Sequence, residues 1–295
     1  MSKQKYLLPI LALVIANTVW GIATPLVKIG LESIPVPIFI ATRFFLASLL
    51  LLPLALKVWR PMKINQLLTL MLAAVLDITL SVTALNVGLT KTTASDAGII
   101  WLLMPILLFI MSIAFLKERL NLKAFIGIML ALAGSLVIVG KPWHSGMSSL
   151  EGNLLVVLAV FLNALAIIIV KPLTKSFHHF QIAFLYYFIG VLPIVIYAST
   201  RQHSWDMSTV TTRSWIALLV VIITATIGNP LFYYALRSKT VQNVSVYQYL
   251  DPLTTVVGAW FLLSERPTAL FYAGAALVVS GVYFVEVRTR KRSYA

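Results

Sequence analysis

The chain has 295 residues, 60% of them apolar or aromatic and only 11% charged, with a formal net charge of +14 and a mean hydropathy of +0.95. A soluble domain carries about 25% charged residues, so a soluble enzyme, a disordered chain and a nucleic-acid-binding domain are poor readings, and the basic excess reads as membrane sidedness. Cysteine is absent, which removes disulfides, thiolate metal ligands and cysteine nucleophiles together.

A membrane-crossing helix needs about 20 apolar residues, because a rise of about 1.5 Å per residue must cover roughly 30 Å of hydrocarbon. Ten such runs follow in chain order, at 7–27, 36–56, 66–87, 94–116, 122–140, 152–170, 180–199, 214–235, 241–263 and 268–286. The first run holds Asn17, Trp20 and Pro25 and is followed by no small-residue cleavage site, so it is read as a span and not as a cleaved leader. The runs are continuous and do not alternate, which argues against a β-barrel. With the N-terminus inside, the inside segments hold 16 Lys and Arg against 6 outside, with Arg43 inside a span. This bias predicts a multi-pass protein of the cytoplasmic (inner) membrane with both termini cytoplasmic.

The sequence also repeats. At an offset of 147 residues, Pro105 falls on Pro252, Glu118-Arg119 on Glu265-Arg266, Gly127 on Gly274 and Gly134 on Gly281. Leucines alone would match by composition; glutamate, arginine, proline and paired glycines at one offset would not. The unit is five spans, and five is odd, so the second copy enters the membrane upside-down. The expected fold is an all-α polytopic membrane protein of ten transmembrane helices in two inverted five-helix repeats, at 1–143 and 144–295. Inverted repeats are typical of secondary transporters, which place their substrate near the membrane midplane between the halves.

Trp20-Gly21 followed by Pro25 to Lys28, Ile40 to Ala47 around Arg43-Phe44, Leu116 to Leu120, Leu262 to Arg266 and the two glycine-paired helices carry a resemblance. The chain resembles EamA-type members of the drug/metabolite transporter superfamily over about residues 7–286. The resemblance implies two inverted five-helix repeats around a central cavity lined by spans 1, 3, 4, 6, 8 and 9, with spans 5 and 10 peripheral. It implies export of amino acids, other small metabolites or organic cations, and no catalytic residue.

An ionisable group inside a span is costly unless hydrated or paired, which makes it a functional candidate. Asp77 is central in span 3, with Ser81 one turn on along the same face. Asp251 belongs to a polar stripe in span 9, Val244, Gln248, Asp251 and Thr255, whose repeat mates are Ala97, Trp101, Met104 and Leu108. Both acids are candidates for substrate binding and for proton coupling. Asp251 also suits a helix N-terminus after a break at Pro252. Arg43 is a candidate for a substrate carboxylate, against a structural role in pairing with Asp77 or reaching the interface. Asn17, Trp20 and Thr24 share a face of span 1; Asn163 lies on span 6; Thr226, Asn229 and Tyr233 share a face of span 8, where Gly228-Asn229-Pro230 predicts a broken helix. Tyr247 is preferred to Tyr249 as a cavity residue, being one turn before Asp251. Asp96 is placed near the interface. The glycine pairs read as close helix packing, and a dimer face is open to them because spans 5 and 10 are expected at the edge. Lys117 to Arg119 read as loop ion pairs, His178-His179 as solvated loop, and Arg288 to Arg292 as an anchor to anionic lipid.

No metal or cofactor is expected, since no Walker A loop, dinucleotide fingerprint or H-E-x-x-H sequence occurs. The expected partners are a small-molecule substrate and the lipid bilayer, with no nucleic acid, and the chain acts as a monomer or homodimer. The leading function is a secondary transporter, an exporter of amino acids or related metabolites. Efflux of lipophilic cations and import of a small metabolite stand as alternatives, and an integral-membrane enzyme lacks its chemistry.

Overall fold

The computed structural model describes residues 3–92, 97, 100–139, 149–201, 206–263 and 269–292, and every regular element among them is helical. The helices are α1 (Lys3–Leu31), α2 (Val36–Lys57), α3 (Ile64–Ala74), a π-helical stretch (Val75–Ser81), α4 (Val82–Leu89), α5 (Met104–Leu116), α6 (Leu122–Val139), α7 (Leu150–Ser176), α8 (His179–Arg201), α9 (Thr212–Ser238), α10 (Val241–Ser245), a 3-10 turn (Val246–Tyr249), α11 (Leu250–Leu263) and α12 (Ala269–Arg292). Among the described residues, six stretches are long and apolar enough to cross a membrane: Leu7–Leu31, Val36–Lys57, Ile64–Leu89, Leu150–Ser176, His179–Thr200 and Thr212–Ser238. Shorter apolar stretches are Met104–Leu116, Leu122–Val137 and Tyr272–Val285. Asp96 and Ser264 to Arg266 lie outside the described residues, as do the side chains of Arg288 to Arg292.

The outer surface matches a lipid solvent. On α9, Ile216, Leu219, Ile223 and Ile227 are exposed at helical spacing, while Ala217, Val221, Ala225 and Gly228 on the other side are buried. Water would penalise that outward stripe; hydrocarbon does not.

Packing follows the 147-residue offset. Helix α1 packs on α9 and α11, while its offset partner α7 packs on α3, α4 and α5; α2 packs on α8, and α6 on α12. The α6–α12 contact shows why the paired glycines are needed. A Cβ on Gly134 would lie 2.6 Å from the Gly274 carbonyl oxygen, and one on Gly281 would lie 2.6 Å from that of Gly127. The order is reversed along the two helices, so they run antiparallel with their backbones nearly touching. These glycines are therefore spent on contact within the chain, the close helix packing expected of them.

The break expected at Gly228-Asn229-Pro230 is absent: α9 runs unbroken from Thr212 to Ser238. Proline removes a single N–H, a loss that a helix in lipid tolerates. The Thr226 hydroxyl donates back to the Ile222 carbonyl at 2.8 Å, and Gly228 leaves room for the Trp20 indole. The discontinuities fall instead at the turn Leu102–Leu103 before α5 and at the 3-10 turn before α11. These are offset mates, and the Tyr249 hydroxyl joins them by donating to the Leu102 carbonyl at 3.3 Å. Pro105 and Pro252 then sit in the first turn of α5 and α11, where a missing N–H costs no helical bond.

Loop contacts divide into two sets. Gln181 brackets Arg60, accepting from its N–H at 3.0 Å and donating to its carbonyl at 2.6 Å. Gln242 does the same between Asn121 and Arg119, at 2.9 and 3.1 Å. The Glu118 carboxylate caps α10 by accepting from the Val241 and Gln242 amides at 2.9 and 3.3 Å, so it is a helix cap and not the expected loop ion pair. The second set joins Ser149 and Glu151 to Lys91, and Ser214 to the Ile29 carbonyl at 2.9 Å. Each set connects segments that the charge bias assigns to one side of the membrane.

The apolar run 152–170 stops short of Lys171, but α7 extends to Ser176 and buries it, with its ammonium donating to the Leu236 and Lys239 carbonyls. The ammonium satisfies the last turn of α9, whose carbonyls lack helical partners. Lys171→Met keeps the volume and removes the donor. It is expected to cost about 1–3 kcal/mol, the penalty of leaving buried acceptors unmade, read as a lowered unfolding temperature in detergent.

Candidate functional site

The site is built around Asp77. Residues Val75–Ser81 adopt a π-helix, a wider turn that is rare overall and frequent at functional sites. This turn aims both Asp77 and Ser81 at α7. The Asp77 carboxylate accepts from Asn163 Nδ2 at 2.6 Å, and the Ser81 hydroxyl donates to the Ala159 carbonyl, one turn from Asn163, at 2.8 Å. The second carboxylate oxygen accepts from the Tyr186 hydroxyl of α8 at 2.9 Å. Asp77 is thus buried with both oxygens held, one by an amide and one by a phenol.

From Tyr186 an aromatic chain runs to α1. Tyr186 meets Tyr233 edge-on at 5.7 Å between ring centroids, Tyr233 meets Phe232 at 6.1 Å, and Phe232 meets Trp20 at 5.4 Å. Asn229 is half-buried one turn before Tyr233. Arg43 comes from α2 with its guanidinium 4.8 Å from the centroid of the Phe44 ring, which packs on Tyr187 at 5.0 Å. Arg43 makes no ion pair with Asp77; among the described residues the one ion pair is Lys91–Glu151. Its buried Nε has no partner. The arrangement joins a carboxylate, aromatic faces and an unsatisfied guanidinium N–H, the chemistry that receives an ammonium, an apolar group and a carboxylate.

The span 9 candidates form a second group, on another face of α1. The Thr254 and Thr255 hydroxyls donate to the Asn17 and Gly21 carbonyls at 3.4 and 3.1 Å, and a Cβ on Gly21 would lie 2.7 Å from the Asp251 carbonyl oxygen. Asp251 lies in the first turn of α11, the position expected for an acid after a helix break. Three oxygens here, Asn17 Oδ1, Gln248 Oε1 and Asp251 Oδ1, are buried without a hydrogen-bond partner. Asn17 spends its amide on the Leu13 carbonyl at 2.7 Å. Tyr247 is buried in the main core, whereas Tyr249 packs toward α6 and α12. Trp101 is half-buried beside the turn that precedes α5. Helix α1 therefore stands between the Asp77 group and the Asp251 group, presenting Trp20 to one and Gly21 to the other.

The sequence reading missed Tyr186 and Tyr187. Two adjacent tyrosines inside an apolar span are a usable signal, because a buried phenol needs a partner; the Tyr187 hydroxyl finds the Ala225 carbonyl at 3.0 Å. No group of three or more metal-ligating side chains occurs among the described residues.

A bundle of apolar helices with polar groups turned inward is a multi-pass membrane protein. The EamA-like transporter family matches it twice, over residues 7–140 and 150–287, and the chain belongs to that family. An uncharacterized transporter of Bacillus subtilis, YetK, is 25% identical over 95% of this chain and 87% of its own length. A probable amino-acid metabolite efflux pump of Escherichia coli is 27% identical over 96% of this chain and 95% of its own. One crystal structure shares the fold with a TM-score of 0.77 at 15% identity, covering 95% of this chain and 98% of that one.

Proposed function

We propose that this chain is a secondary transporter that exports amino acids or related small zwitterions across the cytoplasmic membrane. It works by alternating access between two inverted five-helix repeats, 1–143 and 144–295. The observation that carries this reading is the Asp77 cluster, because it straddles the halves: Asp77 comes from the first repeat, while Asn163, Tyr186 and Tyr233 come from the second. A rocking motion of one half against the other opens and closes this cluster. The antiparallel α6–α12 contact and the exchange of packing partners at one offset support the inverted arrangement. The Escherichia coli relative, a probable amino-acid metabolite efflux pump, agrees in substrate class.

In this scheme the Asp77 carboxylate takes the substrate ammonium in place of the Asn163 and Tyr186 donors, and Arg43 Nε takes its carboxylate. Asp77 and Asp251 are the acids available to carry a coupled proton. A second reading, efflux of lipophilic cations, is favoured by the run of rings from Trp20 to Tyr186 beside an acid.

The chain has no cysteine, so single-cysteine labelling tests the topology directly. Arg119 and Arg266 are repeat mates. Arg119→Cys is expected to react with an impermeant maleimide only after permeabilisation, and Arg266→Cys in intact cells. Labelling of both from one side removes the inverted repeat. Expression is then expected to raise amino-acid efflux into the medium; raised resistance to lipophilic cations with unchanged amino-acid efflux favours the second reading.

A further inference from the structure

Away from the Asp77 cluster, the C-terminal ends of α2, α7 and α9 converge with the start of α8 around a cleft of about 340 Å³. That is within the size range of small-molecule sites. Its lining includes Lys57, Arg60, Arg237, His178, Trp59 and Ser176, and no acid. Lys57, Arg60 and Arg237 are exposed, and no ion pair to them occurs among the described residues. Three helix C-termini contribute roughly −0.5 charge each and the α8 N-terminus roughly +0.5, so three cationic side chains leave the cleft with an excess of positive charge. The field is felt at His178, whose imidazole is held below its usual range by burial and then by Arg237 and Arg60.

We propose that this cleft binds a phosphate-type anion, with Arg60 and Arg237 as forked donors, Lys57 as a point charge and Ser176 as a hydroxyl donor. Guanidinium groups match phosphate oxygens two at a time, and an ammonium adds charge without direction. The cleft lies just past the ends of the apolar stretches Val36–Lys57, Leu150–Ser176 and Thr212–Ser238, and basic pockets between the ends of membrane helices take anionic headgroups. The same chemistry would hold free inorganic phosphate. This site is independent of the transport site: it lies at the Arg60–Gln181 loop face, whereas Asp77 is central to its span.

The test uses the full chain in detergent, by native mass spectrometry with equal phosphatidylglycerol and phosphatidylcholine, and separately by thermal unfolding with inorganic phosphate. One variant is Lys57→Gln/Arg60→Gln/Arg237→Gln. A control, Lys63→Gln/Arg119→Gln/Lys175→Gln, removes the same number of charges outside the cleft. The parent and the control are expected to retain phosphatidylglycerol at least tenfold over phosphatidylcholine, and the cleft variant to lose that preference. Should the triple variant fail to fold, Arg60→Gln alone, whose backbone bonds to Gln181 survive, is expected to lose several-fold. Phosphate stabilisation that the cleft variant lacks, without lipid preference, supports the site and assigns a free anion. Equal loss in cleft and control variants, or no preference for either anion in the parent, overturns the proposal.

Discussion

Asp77→Asn is expected to lower flux of a zwitterionic amino acid into or out of proteoliposomes about 10- to 100-fold at limiting substrate. A hydrogen bond to a charged group contributes about 1.5–3 kcal/mol, and every 1.4 kcal/mol is tenfold. The substitution keeps shape and a carbonyl oxygen for Asn163, so it removes the charge and leaves the helix contacts nearly intact. Asp77→Leu does more: it strands the Asn163 amide and the Tyr186 hydroxyl in a buried site and lowers the unfolding temperature as well. The pair of variants separates recognition from folding. Flux by Asp77→Asn equal to that of the parent at every pH removes Asp77 from the transport site.

The second large effect concerns stability, and it follows from room and not from residue type. Gly134→Ala places a methyl 2.6 Å from the Gly274 carbonyl and 2.8 Å from Leu277 Cβ and Val278 N. These are backbone atoms and a Cβ, which cannot swing away, so α6 and α12 must separate. The expected cost is about 1–3 kcal/mol, the range for overpacking. Gly258→Ala is the control: its methyl would meet Ile22 Cα at 3.4 Å, an ordinary contact. Replacing a helical glycine by alanine there is expected to stabilise by about 0.5–1 kcal/mol. Thermal unfolding in one detergent compares them, and equal midpoints for the two variants defeat the close-approach account.

Six of the spans, those at Leu7–Leu31, Val36–Lys57, Ile64–Leu89, Leu150–Ser176, His179–Thr200 and Thr212–Ser238, were legible because hydrocarbon imposes a length, and that length is written locally in each apolar run. The helices Val36–Lys57 and Met104–Leu116 end where the apolar runs end. The glycine spacing at Gly127 and Gly134 was legible as close packing for the same local reason: only a missing side chain permits it. The face each glycine meets was not, since an antiparallel neighbour 147 residues away leaves no local trace. Asp77 was legible as a candidate because a charge in hydrocarbon is costly wherever it points. Its partners were not.

The sequence by itself therefore determined the membrane class, the periodic repeat and the acids that must be accommodated, because each follows from composition or from spacing along one chain segment. Only the tertiary structure decided that Tyr186 and Asn163 hold Asp77, that Lys171 closes the end of α9, that α9 stays unbroken through Pro230, and that Asp251 lies across α1 from the aromatic chain. The reason is physical. Lipid solvates every apolar face alike, so hydrophobicity sets how deep a helix sits and not which neighbour it turns toward. That choice is left to a few polar contacts and close backbone approaches between residues far apart in the chain.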